Sequence, residues 1–365
     1  MNKSYENRML KTFFATLSVF LCIVSLTVYC FDPFFVYHAP IGNLKEVQKV
    51  HQYQVSGVLK NFDYDGVLLG SSTIMSINTT QLAKKYNCRK VVKAVGNSAA
   101  APTISYYLNL SLETHRLQYV FYGLDVFSFH SNPQLNPLPD EVQFLNNKNP
   151  FDDIAYLLNG EILADKIPDM LRTSLDNNYD PGTAYSFNQY LTPGPDSVLN
   201  NYNPDGVKAV PSYGELYQFD DVRANIAALN ETVKKHPETN FVFMTPCYCI
   251  MWWVRAYNCG LLEAYYHTLD YALSVLLQNS NVEIYAVNFN SKEYITDLYQ
   301  FADVIHGSPA ITEMMTEELG NPEQRITMDN YKQHVEKLAE VVNDFIERIH
   351  HEGVGFLYYK ENADD

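Results

Sequence analysis

Short apolar runs that recur between helical patterns, most of them closing on a small or polar residue, constrain this chain more than any other feature. The first is Gly66-Val67-Leu68-Leu69, ending at Gly70-Ser71-Ser72. Lys90-Val91-Val92-Lys93-Ala94-Val95 ends at Gly96-Asn97, and Gln118-Tyr119-Val120-Phe121-Tyr122 at Gly123-Leu124-Asp125. Phe241-Val242-Phe243-Met244 runs into Thr245-Pro246, and Val282-Glu283-Ile284-Tyr285-Ala286-Val287 is the last. Helical patterns cover Thr79 to Tyr86, Ala101 to His115, Asp221 to Lys235, Gly260 to Asn279 and Met328 to His351. This alternation predicts an α/β fold over residues 61–365, a mostly parallel five-stranded sheet flanked by helices. In such a sheet ligands bind beyond the carboxyl ends of the strands, and three of those ends lie in the first half of the chain. Residues at about 130–220 break the pattern with Pro-, Asn- and Asp-rich sequence and weak helices such as Phe151 to Asn159. That stretch reads as a long insertion over the sheet edge, a lid or a partner-docking surface.

From Thr12 to Phe31 the sequence is TFFATLSVFLCIVSLTVYCF, an uncharged run about as long as a helix needs to cross a bilayer core. Lys3, Arg8 and Lys11 precede it and Asp32 follows. The positive-inside bias then predicts a cytoplasmic tail at 1–11, a transmembrane signal anchor at 12–31 and an extracytoplasmic body, reached through a connector at 32–60. A cleaved signal peptide is the competing reading, but the apolar core is long and no small-x-small site follows it before FDPFFVYHAP. A buried core helix would carry a polar face, which this run lacks. The expected location is the plasma membrane, crossed once, with Tyr29, Phe31, Phe34, Phe35 and Tyr37 at the outer interface.

A formal charge of −16 and a pI near 5.0 argue against nucleic acid as a partner, because no basic patch exists to release counterions. Cys247-Tyr248-Cys249 is one residue too close for a CxxC motif and has no second ligand pair nearby, so zinc is not expected. A disulfide from Cys259 to Cys247 or Cys249 fits an oxidising compartment. P-loop, dinucleotide and His-Glu-x-x-His signatures are absent, as is the Gly-x-Ser-x-Gly elbow, and neither metal nor cofactor is expected.

A serine becomes a useful nucleophile when a base takes its proton, an acid holds the base and donors await the oxyanion. Ser71 and Ser72 follow the first strand at once, where a sharp turn would present a hydroxyl at the carboxyl edge. After the last strand stands Phe301-Ala302-Asp303-Val304-Ile305-His306-Gly307-Ser308-Pro309, in which one short segment supplies a carboxylate and a base. Taken singly, the serine turn is more often a helix cap made by Ser72 or Thr73, and an Asp-x-x-His is common by chance. Their order along the chain, serine after the first strand and Asp-x-x-His after the last, suits a triad. Trp252 and Trp253 could stack on a sugar ring, although such a pair more often packs a helix onto the sheet. His38, His51, His115 and His130 show no partner spacing.

With these residues in view, the body resembles the SGNH (GDSL-like) hydrolase family, and more closely its single-pass members in Gram-positive envelopes. The matches are Asp32-Pro33-Phe34-Phe35, Met251-Trp252-Trp253 and Asp303 to His306, spread over about residues 32 to 350. The resemblance implies an SGNH/flavodoxin-like sheet with Ser72 as nucleophile, His306 as base and Asp303 as its orienting acid. Ser71 stands where the wider family has aspartate. Gly96 matches the glycine whose N–H helps bind the oxyanion, and Asn97 beside it could add a donor. The third block departs, for Gly123-Leu124-Asp125 places Asp125 where the oxyanion asparagine would be. An ionised carboxylate there would repel an oxyanion, so Asp125 is protonated or structural, or Asn97 serves instead, or the site is no standard esterase. The implied activity is that of an esterase or O-acyltransferase acting on acyl esters of an envelope polysaccharide or teichoic-acid-like polymer. A non-catalytic accessory that partners a membrane acyltransferase or a polymer-assembly complex is the alternative.

Overall fold

Every residue of β1 (Gly66–Ser71) and β2 (Val91–Gly96) is buried in the computed structural model, which describes residues 3–147, 149–202 and 219–358. Strands covered on both faces need apolar side chains throughout, which is why these runs lack polar alternation. With β3 (Tyr119–Gly123), β4 (Asn240–Met244), β5 (Val282–Tyr285) and β6 (Arg325–Ile326) they form one six-stranded sheet in the order β2-β1-β3-β4-β5-β6. The first five strands are parallel, with register pairs such as Ser71 with Gly96 and Gly123 with Met244. The expectation of five strands is corrected by β6, a two-residue antiparallel edge pairing Ile326 with Ile284. Two residues are too few to show a period in sequence, so β6 left no signal. Helices flank the sheet, among them Ala101–Thr114, Phe219–Lys235, Leu262–Leu276 and Tyr331–Glu352. The chain runs from β1 out to β2 and then back past β1 to β3, so the strand order reverses between β1 and β3. In an open parallel sheet the crevice for a ligand opens there, beyond the carboxyl ends.

The chain divides into two compact units, Tyr64–Pro137 with Gly182–Asp365, which holds the sheet, and Met1–Asp63 with Leu138–Pro181. Of the stretch read as one insertion, residues 138–181 fall in the amino-terminal unit and 182–202 in the sheet unit, while 203–218 lie outside the described residues. Residues 359–365 also lie outside them.

The amino-terminal unit begins with α1 (Lys3–Phe31). Its segment Tyr5–Phe31 is 27 residues long, contains an 18-residue stretch with a mean hydropathy of 2.2 and almost no buried surface, and is long and apolar enough to cross a membrane. At 1.5 Å per residue it spans about 40 Å, against a hydrocarbon core of roughly 30 Å. Only its last turns pack: Val28 is buried with Phe34, Leu145, Tyr156, Ile162 and Ile167.

The stretch read as a connector, 32–60, is itself folded around a buried carboxylate. Asp32 accepts hydrogen bonds from the N–H groups of Val36 (3.0 Å), Tyr37 (2.7 Å) and His38 (3.0 Å) and from the Tyr156 hydroxyl (2.9 Å). Burial raises its pKa and these four donors pull it back down, without reversing the shift. The turn that Asp32 ties off puts Phe34 between Tyr53 and Tyr156, at 4.9 and 5.5 Å, and Phe35 against Phe62. Phe34 and Phe35 are therefore core residues and not interfacial ones, and of the five aromatics expected at the interface only Tyr29 is largely exposed.

Helix α2 (His51–Asn61) runs directly over this turn, and Gly57 makes that approach fit. A Cβ there would lie 2.4 Å from the Phe35 carbonyl oxygen and 2.7 Å from that of Phe34. Alanine is the better helix former by about 1 kcal/mol, but the clash is with backbone, which cannot swing aside. Gly57→Ala is expected to lower stability by about 1–3 kcal/mol, read as a fall in the thermal unfolding midpoint of the full chain in detergent.

Candidate active site

The turn after β1 is built by its own side chains. Ser71 Oγ accepts from Thr73 N at 3.2 Å and so caps the single 3-10 turn Ser72–Ile74. Ile74 packs onto the ends of β1 and β3, where a Cβ on Gly70 or Gly123 would come within 2.6 or 3.1 Å of its side chain. Two glycines thus let the turn fold down onto the sheet edge at the strand-order reversal, with Ser72 half-buried beside the crevice.

The second piece is a loop closed on itself. An antiparallel bridge joins Phe301 to Gly307, and Ala302 N donates to the His306 carbonyl at 2.9 Å. Inside it, Asp303 Oδ1 accepts from the N–H groups of Ile305 (2.8 Å) and His306 (2.7 Å). Asp303 Oδ2 lies 2.6 Å from His306 Nδ1, and His306 Nε2 lies 2.9 Å from Ser72 Oγ. Serine, imidazole and carboxylate are therefore joined in one chain of hydrogen bonds across 234 residues of sequence. Burial pushes the Asp303 pKa up, but the hydrogen bond and charge of His306 and the two N–H donors outweigh it, and the net shift is downward.

No family model matches this chain, and no curated protein matches it. What the arrangement can do is read from its geometry. An ionised Asp303 favours the tautomer with the proton on Nδ1, which leaves the Nε2 lone pair facing the Ser72 hydroxyl, the arrangement a general base needs.

The other residues singled out from sequence fall in two places. Gly96 is the register partner of Ser71 and so borders the serine turn, and Asn97 is exposed in the turn that follows. No hydrogen bond among the described residues joins Asn97 to Ser72, Asp303 or His306. Ser71 and Asp125 have no exposed surface at all. Asp125 accepts from Ser71 N (3.3 Å), from Thr73 Oγ1 (2.9 Å) and from the Tyr248 hydroxyl (2.6 Å). Burial holds its pKa above the ordinary value despite these donors. Of the readings left open for Asp125, this geometry is the structural one: the carboxyl fastens the serine turn to the segments after β3 and β4.

Two neighbours had not been singled out. Phe187 packs perpendicular to the His306 imidazole, centroids 5.2 Å apart and planes at 85°. Lys93, on β2, is buried and donates from Nζ to the carbonyls of Met75 and Ala184, both at 2.8 Å. It thereby links the end of the serine turn to the strand of chain that carries Phe187. A lysine in the middle of an apolar strand is a sequence signal for such a partner; Phe187 offered none. Trp252 and Trp253 are both buried, stacked on Tyr265 and Tyr266, and pack a helix as such pairs commonly do. All six cysteines are free, so the disulfide weighed for Cys259 is not formed.

The lowered pKa of Asp303 has a pH signature. A carboxyl whose folded pKa is depressed adds stability at pH values above its unfolded pKa, ordinarily 3.8, and loses it as pH falls through the lower folded value. The stability difference between wild type and Asp303→Asn is expected to be constant well above that value and to shrink below it, as read from denaturant midpoints measured down the acid range.

Proposed function

We propose that the chain is a serine hydrolase of the SGNH type, a membrane-anchored esterase or O-acyltransferase acting on acyl esters of a cell-envelope polysaccharide or teichoic-acid-like polymer. The observation that carries the reading is the unbroken relay from Ser72 Oγ through the His306 ring to Asp303, at 2.9 and 2.6 Å. The resemblance in short motifs supports it, as does the strand order 2-1-3-4-5 of the parallel strands, the flavodoxin-like order, with the relay at its switch point. The basic residues Lys3, Arg8 and Lys11, which precede the apolar run at 12–31, support an orientation with the amino terminus in the cytoplasm and the body outside.

In this reading His306 Nε2 takes the Ser72 proton as Oγ bonds to the ester carbonyl carbon. The carbonyl π electrons move onto oxygen, for which the main chain near Gly96, beside the serine turn, is a candidate donor. As the tetrahedral intermediate collapses, the C–O bond to the sugar breaks and its oxygen takes the proton from His306, leaving an acyl-serine. Water or a second sugar hydroxyl then gives its proton to His306 and attacks the acyl carbon; as this second tetrahedral intermediate collapses, the bond from the acyl carbon to Ser72 Oγ breaks and His306 returns the proton to Oγ. Asp303 holds the ring throughout and stabilises the imidazolium. Phe187, perpendicular to that ring, walls one side of it from solvent.

A non-catalytic accessory role is the second reading, favoured by one feature: the third-block position carries the fully buried Asp125, which has no exposed donor to offer. The two readings separate on Ser72. Ser72→Ala in the full-length protein is expected to abolish labelling by a fluorophosphonate probe and to cut hydrolysis of short acyl esters by about 10³-fold or more. His306→Ala should do the same and Asp303→Asn nearly as much, with circular dichroism unchanged in each. Absence of Ser72-dependent labelling and turnover in the wild-type protein would sink the hydrolase reading and leave the accessory one.

A further inference from the structure

The amino-terminal unit presents a second apolar feature besides α1, and its position along that helix identifies what covers it. Burial of α1 begins only at its outer end, with Val24, Ser25 and Thr27 half-buried and Val28 fully so. Val28 stands three residues before the end of the apolar segment, about 5 Å inside it at 1.5 Å per residue. The short helix Ile154–Leu157 packs against this end of α1, with Tyr156 in the cluster around Val28 and its hydroxyl on Asp32. The short helix therefore lies beside the end of α1, within the same compact unit.

The outward side of this short helix is apolar. Phe151 is 79% exposed and Ile154 is 55% exposed, one helical step apart. Of the acids between them, Asp152 accepts from the side-chain amides of Asn147 (2.8 Å) and Asn149 (2.5 Å), and the Asp153 carboxylate lies near the Tyr37 hydroxyl. Tyr29, nearly half exposed, lies 5.0 Å from Tyr37 at the same end, as tyrosines do at the level of lipid headgroups. We infer that Phe151 and Ile154 form an interfacial membrane contact, seated at the boundary of headgroups and acyl chains in the leaflet from which α1 emerges. Two large apolar side chains held out beside a lipid-facing helix gain the burial that water would deny them. The contact makes the amino-terminal unit lie on the bilayer instead of swinging from a single helix.

This rests on α1 spanning the membrane, and the test keeps the two apart. Full-length Phe151→Trp and Phe20→Trp variants are placed in phosphatidylcholine vesicles, plain or carrying lipids brominated near the headgroup or near the bilayer centre. The wild-type emission, which comes from buried Trp252 and Trp253, is subtracted. A tryptophan at position 151 is expected to lose about half its emission to the shallow bromines and little to the deep ones, while one at position 20 is quenched by the deep set. Quenching at 20 with none at 151 overturns the inference and leaves the anchor standing. A blue-shifted but unquenched residue at 151 also overturns it, and means that a protein surface, not lipid, covers the patch. Failure of quenching at 20 removes the anchor and the inference together.

Discussion

A carboxyl group with no exposed surface has to be held by donors, and those at Asp125 are drawn from the segments that leave two different strands. Ser71 N and Thr73 Oγ1 belong to the turn after β1, and the Tyr248 hydroxyl to the segment after β4. Asp125 itself closes β3. The carboxyl ends of three parallel strands are thus drawn onto one side chain, and Ser72 sits between two of its contacts. With no cation among those partners, the charge is spread over neutral donors, an arrangement that stays fixed only while every donor is present. The knot holds the residues on either side of Ser72, whose hydroxyl itself meets His306 Nε2.

The amino-terminal unit repeats the device. Asp32 gathers three backbone N–H groups and the Tyr156 hydroxyl where α1 gives way to the folded segment. Burial raises the pKa of both aspartates, because desolvation outweighs their hydrogen bonds. Each places a buried acid at the turn where a regular element ends and the chain must change direction.

How much of this was legible in the sequence follows from the range of the interactions. The five parallel strands and the helices Thr79–Tyr86 and Ala101–Thr114 carry their burial within a few residues, so apolar runs and small-residue stops disclosed them. Asp303 and His306 were readable for the same reason, since one tight loop holds both, and Ser72 because it ends the first strand. The packing of 138–181 with the amino terminus, the seat of Phe187 on His306 and the two-residue strand β6 depend on partners far along the chain or on elements too short to show a period. Phe34 and Phe35 illustrate the limit. Beside a long apolar helix their rings suit an interface as well as a core, and only the hydrogen bonds of Asp32 and Tyr156 decide between them.

Asp125 also bears on the chemistry proposed. The transition state for acyl transfer carries a cation on His306 and an anion on the substrate oxygen, so a negative charge behind the serine turn assists the first and opposes the second. At this position the carboxyl serves the turn and offers no exposed donor, so in the proposed chemistry the anion would be met by main-chain N–H groups, with those near Gly96 and the serine turn as the candidates. Burial shifts the Asp125 pKa upward, toward the neutral form that opposes the anion less. The proposed chemistry and the fold thus meet on the same buried group.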